Sequence, residues 1–288
     1  MNMSLQAVID FKQKYGDWAV IAGGDLGLGE CWCNELAKRG LNIISIDRNK
    51  EALAAQEKHL ISKFGVKVKT ITADLSEENI LESIKEEIAD LNVGFMVFSA
   101  AMTTDPAIIR PHLFHEGALE YHHKLINLNV KTVNDFCFYF GEQFKAKGQG
   151  GMVIISSGAD GQGCPFNASY AASKGYQTLL SEALWYELKP FNVDVITAPL
   201  GMTNTTAMDK FQDKESLARL KPMDPTDAIL EILQELGKRP QIIPGRKNRM
   251  GQFVLKRLMG REGAIKAMAS FFLDKFLIGE KQYDIFRK

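Results

Sequence analysis

A tyrosine and a lysine four positions apart, Tyr170 and Lys174 in ASYAASKG, can do proton chemistry together if that stretch is helical. Residues four apart share one face of a helix, which sets an ammonium beside a phenol. A free phenol has a pKa of about 10, and a neighbouring cation stabilises its anion and lowers that value. Such a pair gives a proton to an oxygen that gains negative charge, and takes it back in the reverse direction. Thirteen positions before Tyr170, the run MVIISSG ends an apolar stretch with Ser157, whose hydroxyl could bind and orient the same oxygen. Tyr and Lys at this spacing also occur by chance as solvated residues. The serine closing an apolar run makes the combination more specific.

A second group of residues could hold an anion. In AVIAGGDLGLGE, residues 19–30, Gly23, Gly27 and Gly29 follow an apolar run and precede a helical one. Strand, glycine turn and helix in that order suit a dinucleotide: glycines let backbone N–H groups approach a pyrophosphate, and the helix start adds partial positive charge. Gly23, Asp25, Leu26, Gly27, Leu28 and Gly29 are the candidate contacts. A glycine turn alone is weak evidence, since any tight connection can use one. About twenty residues on, Asp47 in SIDRN stands where an acid binds ribose hydroxyls and opposes a 2′-phosphate. Arg48 beside it could instead welcome that phosphate. Asp47 decides for NAD(H), because a carboxylate facing a phosphate dianion is costly whereas Arg48 can swing to solvent. Asp74, followed by Leu75, ends a third apolar run; it could equally cap a helix or close a turn. Asp25 would repel a pyrophosphate, so it is expected to turn outward or bind loop N–H groups, and its carboxylate could also oppose a 2′-phosphate, which again favours NAD(H).

The elements that must position these residues alternate. Apolar runs at DWAVIAGG, LNIISID, VKVKTITAD, VGFMVFSAA, MVIISSG and NVDVITA are separated by segments of helical period. The helices expected are LGECWCNELAKRG, EALAAQEKHLISKFG, SEENILESIKEEIAD capped by Ser76, one long helix over residues 118–147, and ASYAASKGYQTLLSEALWYELK. This alternation predicts an α/β fold: a doubly wound, Rossmann-like parallel sheet in a single domain. Residues 1–16 form an N-terminal extension, 17–245 the core, and 246–288 a basic, Met- and Phe-rich helical tail expected to pack on its own domain or on a neighbouring subunit.

GxxxGxG at Gly23, with Ser157 thirteen residues before YxxxK, resembles the short-chain dehydrogenase/reductase family over most of residues 17–205. The resemblance implies hydride transfer between a nicotinamide and a carbonyl carbon, with Tyr170 as acid or base. It implies that Lys174 steadies the phenolate and holds the nicotinamide ribose, and that Ser157 orients the substrate oxygen. Asn129, in NLNVKT, matches a fourth catalytic position whose backbone holds a relay water; a helix-interior polar contact is the alternative. Asp74, followed by Leu75, matches the family's contact with adenine, Ala100 and Ala101 match the stretch after the fourth strand, and Pro199, Gly201, Thr203 and Thr205 the stretch near the carboxamide. Tyr170 and Lys174 also border the cofactor. The family usually has Thr at Ala22 and Asn-Ala-Gly at Ser99-Ala100-Ala101; these departures leave the hydride step intact.

KYGDWAVIAGG with ELAKRGLNIISIDRN is similar to the branch holding 17β-hydroxysteroid dehydrogenases and very-long-chain 3-oxoacyl-CoA reductases, which implies a soluble bacterial relative and a steroid substrate. The specific expectation is 20β-hydroxysteroid dehydrogenase activity with NADH. Cys164, Pro165 and Phe166, with Met202 and Met208, would give an apolar lining, although ordinary loop packing explains each singly. A 3-oxoacyl thioester reductase would use Lys210, Lys214 and Arg219 for phosphates, but three charges on a helix more often form a solvated face. A nucleotide-binding regulator without turnover would fit Ala22 and Ser99, yet has no need of a proton relay.

Composition narrows the classes. The 288 residues carry 35 basic and 35 acidic side chains, so no whole-chain field favours nucleic acid or an anionic membrane. No run reaches the roughly 18 apolar residues of a spanning helix, and no leader is evident. Four cysteines suit reduced thiols in a cytoplasmic protein. No metal is expected: Cys31 and Cys33 lack a second pair, and His112, His115, His122 and His123 lack a carboxylate at ligand spacing, so they read as solvated or interface residues. The helices over residues 118–147 and 168–188 imply, through the resemblance, a homodimer or homotetramer.

Overall fold

The six apolar runs form six parallel strands in a computed structural model that describes residues 5–204 and 221–287. They are β1 (Trp18–Ala22), β2 (Asn42–Asp47), β3 (Val68–Thr72), β4 (Val93–Phe98), β5 (Gly150–Ser157) and β6 (Val193–Leu200), in the order β3-β2-β1-β4-β5-β6. Every residue of β4 is buried, because helices cover both faces of the sheet. On one face Phe98, Phe136, Phe140 and Phe144 pack together. On the other, Trp32, Leu36, Ile229 and Ile232 do so. The single-domain Rossmann-like fold is as the alternation predicts.

Helices α2 (Gly27–Ala37), α3 (Lys50–Phe64) and α7 (Ala168–Leu188) match the periodicity closely. The N-terminal extension contributes α1 (Leu5–Tyr15), whose Tyr15 hydroxyl donates to Asp194 at 2.7 Å and whose ring meets Phe95 edge-on.

Two helices differ from expectation. Ser76 does not cap α4, which runs only over Ile80–Ile88 after Asn79 at φ 59°. The Ser76 hydroxyl and N–H instead both donate to Asp74, at 2.7 and 2.9 Å, in a strand-end turn, and the helix begins only at Ile80. The long helix is divided: α5 (Leu119–Ile126), a π-helical turn at Asn127–Thr132, then α6 (Val133–Lys147). Asn129 lies inside that turn.

The C-terminal part continues with α8 (Pro225–Glu235), α9 (Arg246–Phe253), a second π turn (Val254–Leu258) and α10 (Arg261–Lys275). It packs on its own domain. Gln252 donates to the Gly158 carbonyl at 2.6 Å, Lys256 pairs with Asp160 at 2.8 Å, and Arg261 donates to the Gly161 carbonyl at 3.0 Å. Among the described residues no helix is long and apolar enough to cross a membrane.

Candidate active site

The parallel strands all end on one side, so the loops that leave β1, β2, β4, β5 and β6 gather there. Gly23 turns the chain out of β1 at φ +83°. A Cβ there would stand 2.6 Å from the Ala100 backbone, so only glycine lets the first loop pass under the end of β4. The Ala22 carbonyl receives the N–H groups of Ser99 and Ala100 at 2.9 and 2.8 Å, which fastens the two loops together. At the start of α2, Leu26 provides no side-chain cap. The first N–H groups of α2 are therefore open to an anion. This glycine cradle and uncapped helix fit the pyrophosphate of a dinucleotide. Leu26 is exposed while Leu28 is buried in the core, so Leu28 can serve a ligand only through its backbone.

Asp47 ends β2 and accepts the Arg48 N–H at 2.8 Å; Arg48 is exposed. The Asp25 N–H donates to Asp47 Oδ2 at 3.5 Å, which brings the Asp25 carboxyl close to the Asp47 carboxyl and to the Leu26 N–H. Burial, followed by the Asp47 bond and charge, pushes Asp25 up to about 7. The acid pair was not foreseen, because loop folding alone brings the two residues together. Asp74 forms a strand-end turn with Ser76, and despite partial burial those hydrogen bonds hold it below the ordinary carboxylate value. Leu75 is buried, and its carbonyl accepts from Thr132 at 2.9 Å.

Ser157, at the end of β5, lies close enough to Tyr170 for its hydroxyl to favour the phenolate. Lys174 lies one turn along α7, buried, with Nζ 5.7 Å from the centre of the Tyr170 ring. Its ammonium donates to the Ile155 carbonyl at 2.8 Å and to Gln177 Oε1 at 2.9 Å. Burial pushes Lys174 down to about 7. Burial also pushes the Tyr170 phenol up, against the pull of Ser157. The lowered phenol pKa expected from the sequence is therefore not produced by the protein alone: desolvation outweighs the Ser157 hydroxyl.

Asn129 is fully buried. Its side chain accepts the Met102 N–H at 2.9 Å and donates to the Met102 carbonyl at 2.9 Å and to Ser173 at 3.1 Å. Its own carbonyl accepts Gln177 Nε2 at 2.7 Å. Sequence reasoning passed over Gln177 and Ser173, although both lie within one turn of Tyr170 or Lys174.

Beside Ser157, the paired ends of β5 and β6 bring up Pro199 and Gly201. Thr203 is buried, with its hydroxyl on the Gly201 carbonyl at 3.2 Å. Ala101 is exposed beyond β4. Thr205, Met208, Lys210, Lys214 and Arg219 lie outside the described residues. Cys164 and Phe166 are buried against Phe272, Leu273 and Tyr283 of the tail, so they line a packed core rather than an open cleft. His112 and His122 are also buried, contrary to the solvated surface expected. His112 Nδ1 bonds the Arg110 carbonyl, while His122 bonds Ser169 and the Phe114 carbonyl. Among the described residues no group of histidine, cysteine and carboxylate side chains is placed to hold a metal.

A dinucleotide cradle, with a serine, a tyrosine and a buried lysine gathered at its far side, defines an oxidoreductase that interconverts an alcohol and a ketone. The chain belongs to the short-chain dehydrogenase family, whose sequence profile matches residues 17–216. The 7beta-hydroxysteroid dehydrogenase of Clostridium sardiniense is 29% identical over 243 residues, 84% of this chain and 90% of that protein. The 17-beta-hydroxysteroid dehydrogenase type 3 of Homo sapiens is 33% identical over 202 residues, 70% of this chain and 63% of that one. A solved 7beta-hydroxysteroid dehydrogenase, described for its stereoselectivity, superposes with a TM-score of 0.84 at 26% identity, covering 90% of this chain and 98% of its own.

Proposed function

We propose that this protein interconverts a ketone and a secondary alcohol on a steroid with NAD(H). The observation that carries the reading is the convergence of Ser157, at the end of β5, with Tyr170 and the buried Lys174, whose Nζ stands 5.7 Å from the Tyr170 ring. When bound, a nicotinamide supplies or accepts hydride. Ser157 orients the substrate oxygen, Tyr170 hands it a proton, and Lys174 holds positive charge next to the phenol as that proton leaves. The Asp25–Asp47 pair supports NAD(H), since two carboxyls at the adenosine end oppose a 2′-phosphate. The hydroxysteroid dehydrogenases among the relatives support the steroid. The 20β side-chain position expected from the sequence stands beside the 7β ring position in the names of the relatives. The proposed molecule is a cytoplasmic homodimer or homotetramer.

Purified protein tests this with C7 and C20 ketosteroids, each with NADH and with NADPH. Turnover of one steroid with NADH is the expected result. Tyr170→Phe should bind NADH as the parent does and lose about a thousandfold in kcat. Turnover retained in that variant would remove Tyr170 from the mechanism. Turnover of 3-oxoacyl thioesters alone would move the substrate class.

A further inference from the structure

Gln177 is fully buried on α7, one turn beyond Lys174. Its carboxamide spans the gap between two site residues: Oε1 accepts from Lys174 Nζ at 2.9 Å, and Nε2 donates to the Asn129 carbonyl at 2.7 Å. The amide orientation is dictated by its partners, because an ammonium can only donate and a carbonyl can only accept. The Asn129 carbonyl can take this partner because of the π turn. In an unbroken α-helix it would accept the Val133 N–H, but that N–H bonds the Val130 carbonyl instead.

We infer that Gln177 is the positioning residue of Lys174, clamping its ammonium to the helix break through a link that conducts no proton. The inference rests on the reading that Lys174 serves Tyr170, and deepens it. A water in this position could receive a proton on one side and release one on the other. A carboxamide cannot do so without becoming its imidic acid tautomer. The proton that Tyr170 gives to the substrate oxygen is therefore replaced from Lys174 or from the mouth of the cleft, and not through the interior of the α5–α6 helix. The clamp also helps retain charge on a lysine that burial pushes down to about 7. The groups facing that ammonium are few. β5 offers the Ile155 carbonyl, the π turn reaches it only through Gln177, and α7 brings Tyr170 as its titratable neighbour.

Two variants test the clamp. Gln177→Leu keeps the volume and deletes both bonds. Gln177→Glu keeps an acceptor for Lys174 and adds negative charge. The first readout needs neither cofactor nor substrate: urea unfolding of the cofactor-free protein between pH 7 and 10. In that window an unfolded lysine is protonated while the buried one is not, so stability rises with pH. Gln177→Glu should flatten this rise by holding the proton in the folded state, and Gln177→Leu should leave it as steep or steeper. The second readout is the pH profile of kcat. Gln177→Glu should move its Lys174-dependent limb up by about one unit, and Gln177→Leu should move it down with a kcat loss of about tenfold. Identical slopes of stability against pH in the parent and both variants would overturn the clamp, even if both variants were merely less stable. Failure of every steroid as substrate would overturn the functional reading and leave the unfolding result to decide the clamp.

Discussion

If the Asp25–Asp47 pair faces the cofactor as proposed, one titrating residue makes the cofactor choice depend on pH. The Asp25 carboxyl faces the Asp47 carboxyl, the Leu26 N–H and the more distant Arg48 charge. With Asp25 pushed up to about 7, it is neutral in acid and ionised in mild alkali. On the proposed reading, each proton lost adds a negative charge at the adenosine end of the cofactor, where it would oppose a 2′-phosphate. The ratio of kcat/KM for NADH over NADPH should therefore rise by about fivefold to tenfold from pH 6 to 8. Asp25→Asn should show only the shallower slope due to the cofactor phosphate itself. Equal slopes in the two proteins would mean that Asp25 does not face the cofactor. The sign for stability is opposite. The folded chain holds this proton between the ordinary carboxylate value and about 7, so the contribution of Asp25 to stability falls as pH rises through that window. At this scale the gathering of Ser157, Tyr170 and Lys174 at one point and the placement of Asp47 at the end of β2 were legible, because strand ends and helix spacing fix them locally. The acid pair and the Gln177 bridge were not, because they depend on which loop lies against which.

The division of the α5–α6 helix is the main feature of the elements that pattern did not reveal. A single π turn inside a helix has no residue-type signature of its own, so NLNVKT reads as uninterrupted helix. What marks the break is the fully buried Asn129, which binds both backbone groups of Met102 beyond β4 as well as Ser173 on α7. Asn129 thus joins three elements around the site, whatever its part in proton movement. Asn129→Ala should destabilise the fold by about 2–4 kcal/mol, since it leaves partners of the lost amide unpaired. Urea unfolding measures this, and a loss of activity without loss of stability would make the role purely chemical. The same reasoning explains α4. Asp74 competes for Ser76 and wins, a local contest that a cap motif read in isolation misses. The packing of the tail on residues 158–161 was expected only in outline, because the Lys256–Asp160 pair joins positions 96 residues apart.

Across the whole molecule, the outer face of the helices around the site remains apolar. Phe138 on α6 and Leu179 and Tyr186 on α7 are 73%, 68% and 75% exposed. They share one surface: Tyr176 of α7 bonds Asn134 of α6 at 2.8 Å, Phe138 follows Asn134 by one helical turn, and Leu179 and Tyr186 are two turns apart. Large side chains rarely crowd into water without a partner, and a patch spread over two neighbouring helices suits a closed symmetric contact with a second copy. Sedimentation should therefore give twice or four times the mass of the chain. Replacing both Leu179 and Tyr186 by Glu places two charges where the partner's apolar face would lie, and should shift the protein to monomer. The site feels that change through α7, which carries Tyr170 and Lys174 toward its N-terminal end and the exposed face along its length. Loss of the contact should lower thermal stability and kcat together while the NADH:NADPH ratio holds, since Asp25 lies on the loop after β1 and Asp47 at the end of β2, away from α6 and α7. A parent protein that sediments as a monomer would remove the assembly and leave those exposed rings without a role.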